Sequence, residues 1–168
     1  KVIEYNSRFG DPECIIALEL LKTNFLQICE EMIGGCLTSE LVFSQDAMIS
    51  LYMVPQGYPF TAKKNYDIYI DNKINMNNII FANVEEKEGH LYSLTSRTLL
   101  YSERSSSLTE CYKKIYDNVQ LIHGNLFYRK DIGQLLTVKT KPIKVSSKNS
   151  ISYKESGVNI EVANEIVS

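Results

Sequence analysis

Histidine and cysteine are scarce in this chain: two and four among 168 residues. Cys14, Cys29, Cys36 and Cys111 form no CxxC pair and keep no metal-ligand spacing with His90 or His123, so a zinc site of the usual pattern is excluded. Cys14 and Cys29 fall at apolar helical positions, where a reduced thiol behaves as a small hydrophobe, and the expected setting is a reducing one, the cytoplasm. Long apolar runs are missing too; none approaches the roughly 20 residues that cross a bilayer, so no membrane partner is expected. Strand residues begin at once and no signal peptide is expected. There is no excess of positive charge. With a formal charge of −2, a pI near 5.8 and scattered lysines, the chain shows no basic stripe, which argues against nucleic acid.

What is present, 44% hydrophobic and 23% charged residues, is ordinary for a globular protein. The most informative stretch is the first, KVIEYNSRFGDPEC. Val2, Ile3 and Tyr5 mark a strand, whose period of two sends Glu4, Asn6 and Arg8 to one face. A carboxylate and a carboxamide side by side suit a hard divalent cation such as Mg²⁺, and the arginine can clamp a carboxylate or phosphate. The solvated side of an edge strand carries the same spacing, so pattern alone leaves both readings open. Asp11, Pro12 and Glu13 then read as the N-cap, first position and dipole-favouring residue of a helix.

Apolar spacing of three and four predicts helices over residues 12–21 and 25–33, the second capped by Asn24 and ended by Gly34-Gly35. From Ala47 the period changes. Residues 47–54 read as a buried strand stopped by Pro55, followed by a turn at Gln56-Gly57-Tyr58-Pro59 and strands over 66–70, 79–82, 90–94 and 98–102. Glu88-Gly89 reads as a tight hairpin joining the 79–82 and 90–94 strands. Ser107-Leu108-Thr109-Glu110 is a capping box for an apolar-striped helix running to Gly124, expected to cover a single antiparallel sheet. Residues 137–150, rich in lysine and serine, read as an extended linker.

The run EYNSRFGDPEC resembles the signature Glu-x-Asn-x-Arg-Phe-Gly-Asp-Pro-Glu of the glycinamide ribonucleotide synthetase (phosphoribosylamine–glycine ligase) family, ATP-grasp enzymes of purine synthesis. The later order of strands, GYP turn and capped helix, closing on Tyr128-Arg129-Lys130-Asp131-Ile132-Gly133, resembles that family's C-terminal domain. The resemblance implies Glu4 and Asn6 as Mg²⁺ or Mn²⁺ ligands and ATP, glycine and 5-phosphoribosylamine as substrates. It also implies that Arg8 orients an anionic substrate group, while Asp11 either contacts the amine side or only caps its helix. Arg129 and Asp131 read as a catalytic pair or as a domain-closing ion pair. The chain departs from the pattern at Ile15 (family Gln), at Phe81-Ala82-Asn83-Val84-Glu85 (family Phe-His-Ala-Gly-Thr), at Thr95-Ser96 (family Gly-Gly) and at Asn65 (family Gly), where asparagine keeps access to a left-handed turn.

Residues 151–168, ISYKESGVNIEVANEIVS, resemble the opening of aminoimidazole ribonucleotide synthetase, with Asn159 for the usual Asp. The two resemblances in this order imply a fused, multifunctional purine enzyme. The fold class is thus α+β: residues 1–36 the end of an ATP-grasp domain, 37–136 a small antiparallel-sheet-plus-helix domain, 137–150 a linker, and 151–168 the start of a covalently fused cyclo-ligase. Lys1 is not expected to be a natural N-terminus, and residues 1–168 alone are expected to be inactive. Two other readings remain: a catalytically degenerate scaffold or interaction module, and a biotin-carboxylase-like ATP-grasp subunit.

Overall fold

The computed structural model describes residue 5 and residues 7–134. The Val2–Tyr5 strand, the linker and the tail resembling a cyclo-ligase are expectations that lie outside the described residues, wholly or but for Tyr5.

Two short helices open the chain, α1 (Glu13–Leu20) and α2 (Phe25–Ile33). Asn24 caps α2 as expected, its Oδ1 accepting the Leu26 and Gln27 amides at 3.0 and 3.4 Å. Gly34 and Gly35 end it, Gly35 with a φ of 70° that costs a glycine nothing. The chain then runs back beside the end of α1, where the Lys22 amide meets the Val42 carbonyl at 2.8 Å and the Ser44 amide meets Leu20 at 2.7 Å.

Eight strands follow, β1 (Ala47–Pro55), β2 (Tyr66–Ile70), β3 (Ile79–Phe81), β4 (Val84–Lys87), β5 (His90–Ser93), β6 (Leu99–Ser105), β7 (Ile122–Gly124) and β8 (Leu126–Phe127), with α3 (Leu108–Asn118) between β6 and β7. They form two four-stranded sheets, β3-β6-β1-β8 and β4-β5-β2-β7, rather than the single sheet expected. Every pairing among these strands is antiparallel. In β1 the alternation is strict: Ile49, Leu51 and Met53 are buried, and the residues between them face the other way. Those three join Ile68 of β2, Leu99 and Tyr101 of β6, and Cys111 and Ile115 of α3 in one core, so helix and both sheets share a single apolar interior.

Three local readings need correction. Glu88 and Gly89, with φ of 52° and 79°, do form a two-residue turn, but it joins β4 to β5, where Lys87 pairs with His90. The helix read as running to Gly124 ends at Asn118; a single 3₁₀ turn and β7 follow, and Val119 and Ile122 continue its apolar stripe without continuing its helix. The capping box is half formed. Ser107 Oγ accepts the Glu110 amide at 3.3 Å, while the Glu110 carboxylate takes Lys114 Nζ at 3.0 Å and Ser106 Oγ at 3.1 Å. Asn65 does adopt the left-handed turn, with φ 69°.

Candidate functional site

A cleft of about 430 Å³ opens where the segment leading into α1 crosses the outer face of β1. Pro12, Glu13, Tyr52, Tyr58, Arg97 and Arg129 contribute to its walls. Tyr52 stands there because it lies between the inward Leu51 and Met53, and the pleat turns it outward.

Asp11 lies on the rim, and its role differs from the cap read in the sequence. The N-cap position of α1 is Pro12, and no side chain caps that helix. Instead Asp11 Oδ1 accepts the Tyr52 hydroxyl at 2.8 Å, Oδ2 pairs with Arg97 Nη2 at 3.2 Å, and the Asp11 carbonyl accepts Arg97 Nη1 at 3.0 Å. The Arg97 guanidinium also lies 5.0 Å from the centre of the Tyr52 ring, within cation–π reach. Two long-range donors, one of them carrying a full opposite charge, take the carboxylate in place of a local backbone amide. Burial, and then the hydrogen bond to Asp11, push the Tyr52 phenol up to about 12, so it stays a proton donor.

Arg8 is exposed and its Nη1 donates to the neighbouring Phe9 carbonyl at 2.8 Å, which leaves most of its fork free for an anion. Arg129 and Asp131 form a bidentate pair at 3.0 and 2.6 Å, exposed on both sides. That pairing holds Asp131 below the usual carboxylate range, chiefly through the hydrogen bond from Arg129. Glu4 and Asn6 lie outside the described residues. Among the described residues no group of three or more His, Cys, Asp or Glu could hold a metal ion. Tyr52 and Arg97, which line the cleft, are not singled out by the sequence; a tyrosine between two apolar residues of a period-two strand is the signal available for the first.

Residues 48–135, just over half of the chain, match the family described as phosphoribosylglycinamide synthetase, C domain. The chain belongs to that family. Curated relatives named phosphoribosylamine–glycine ligase include those of Methanosarcina barkeri, 34% identical over 84% of this chain and 33% of the relative, and Methanococcus maripaludis, 37% identical over the same shares. The crystal structure of the phosphoribosylamine–glycine ligase of Thermotoga maritima matches with a TM-score of 0.67 and 26% identity, over 77% of this chain and 32% of that one. The chain thus spans about a third of the length of the relatives it matches, their C-terminal part. Within the synthetase C domain fall Tyr52, Arg97, Arg129 and Asp131; Arg8 and Asp11 precede it.

Proposed function

We propose that this chain is part of an ATP-dependent ligase that joins glycine to 5-phosphoribosylamine in purine synthesis, working in the cytoplasm. The observation that carries the reading is the Arg8-to-Asp11 motif fastened to a domain of the synthetase family through Tyr52 and Arg97. Chemically, a glycine carboxylate oxygen attacks the γ-phosphorus of ATP, releasing ADP and leaving glycyl phosphate. The amine of phosphoribosylamine then attacks the acyl carbon, the carbon–oxygen bond to phosphate breaks, and the amine gives up a proton as the amide forms.

In this reading Arg8 orients an anionic substrate group and Asp11 faces the amine side. The donor chemistry of Glu4 and Asn6, a carboxylate and a carboxamide, fits Mg²⁺ or Mn²⁺. Such a cation, when bound, neutralises charge on the ATP phosphates. The remaining ATP-gripping residues of an ATP-grasp enzyme lie elsewhere in the full-length protein, so residues 1–168 alone are inactive. Leu26, Met32 and Ile33 of α2 are 66, 64 and 88% exposed, as expected of a face covered by more of that domain. A fused cyclo-ligase beyond residue 150 completes the reading.

The test is ADP release by the full-length protein. Turnover should require both glycine and phosphoribosylamine, and Glu4→Gln should lower kcat by about tenfold to a thousandfold. Absence of turnover in the folded protein would favour the degenerate scaffold instead.

A further inference from the structure

We propose that Tyr52 and Arg97 are positioning residues that fasten the Asp11 carboxylate, and the turn carrying it, in one orientation on the rim of the cleft. The inference rests on the ligase reading for what Asp11 meets there, and on geometry alone for how it is held.

Three separate atoms of Asp11 are held. Tyr52 takes one carboxylate oxygen, Arg97 the other, and a second nitrogen of Arg97 takes the main-chain carbonyl. The donors come from positions 41 and 86 residues away, on β1 and on the lead-in to β6, and they brace each other because the guanidinium lies over the tyrosine ring. A carboxylate fixed at both oxygens and at its own backbone cannot turn.

The stability of the ion pair itself does not account for the arrangement. The side chains of Arg97 and Asp11 are 37 and 45% exposed, and ion pairs that wet contribute little to folding. Nor does α1 gain a cap, since Asp11 has been drawn away from its helix end. Fixing a group that faces substrate, by contrast, repays several contacts, because a displacement of about 1 Å can cost on the order of a hundredfold in rate.

Three substitutions separate the roles. Tyr52→Phe removes the hydroxyl and keeps the ring under Arg97; Arg97→Lys keeps the charge and loses the fork; Asp11→Asn removes the carboxylate. In the full-length protein, Tyr52→Phe and Arg97→Lys should each lower kcat by about tenfold to a hundredfold with KM for ATP unchanged. Adding either to Asp11→Asn should cost nothing further. In the 168-residue chain, exchange of the Cys14 amide, which closes the turn on the Gly10 carbonyl at 2.9 Å, should rise about tenfold in both variants while that of buried Ile115 stays fixed.

Where the wild type turns over, unchanged kcat in both variants, or losses that add to that of Asp11→Asn, overturns the proposal. Where the wild type does not turn over, the ligase reading fails and amide exchange decides: unchanged protection at Cys14 sinks the proposal, and faster exchange upholds the fastening.

Discussion

Tyr52 and Glu31 show how single residues here depart from their ordinary chemistry. The Tyr52 phenol is pushed up to about 12 by burial and then by Asp11, above the unfolded value of 10.0. A group whose folded value is raised contributes stability that is complete below the unfolded pKa and is lost as pH rises through the folded one. The window for Tyr52 is therefore pH 10 to about 12. A tyrosine-labelled NMR titration should place its midpoint near the top of that window, and Asp11→Asn should move it down; an unshifted midpoint near 10 would contradict the contact. Glu31 moves the other way. Hydrogen bonds from the Ser39 hydroxyl, the Ser39 and Thr38 amides and Gln27 lower it from 4.5 to about 2. Its depressed value means stability present above pH 4.5 and lost as pH falls towards about 2, and the Ser39 amide resonance should titrate there in the wild type and not in Glu31→Gln. The partners of Glu31 lie within eight residues of it, but those of Asp11 could not be read locally. Asp11-Pro12-Glu13 has the composition of a helix start, and only a tyrosine 41 residues on and an arginine 86 residues on draw the carboxylate away.

Elements with a strong apolar period were legible, and those without one were not. β1, β2 and α3 place Leu51, Ile68 and Ile115 in the core where the spacing of two or of three and four puts them. β4 escaped notice because Val84-Glu85-Glu86-Lys87 pairs only with β5 at the edge of its sheet, and an exposed edge strand needs no apolar alternation. β7 and β8, of three and two residues, are too short to carry a period at all. Missing them hid the second sheet, since β7 is what flanks β2 there. Denaturant unfolding of the 168-residue chain tests this level. Ile115→Ala, at a site with no exposure, should cost about 2–5 kcal/mol. Ser107→Ala should cost about 1 kcal/mol, because one amide at the start of α3 loses its acceptor. A cost near zero for the first would mean that helix and sheets do not share one core.

At the scale of the whole molecule, the described residues divide into a well-filled interior and a thinly covered N-terminal part. Twelve buried side chains drawn from both sheets, α3 and adjoining turns make one cluster, whereas α1 contains no buried residue and α2 only Ile28. That contrast fits a family domain at residues 48–135. Polar replacement of Leu26 and Ile33 should leave the stability of the 168-residue chain within about 0.5 kcal/mol and destabilise the full-length protein. The family relationship was legible from two short motifs, RFGDPE and YRKDIG, because a run of specified residues marks a family without needing any apolar period. The measurement that bears most directly on the central claim follows oxygen. Glycine labelled with ¹⁸O in its carboxylate, given to the full-length protein with ATP and phosphoribosylamine, should deliver one labelled oxygen to the released phosphate for each amide formed. Amide formation with unlabelled phosphate would show that the carboxylate is not phosphorylated, and would contradict the account.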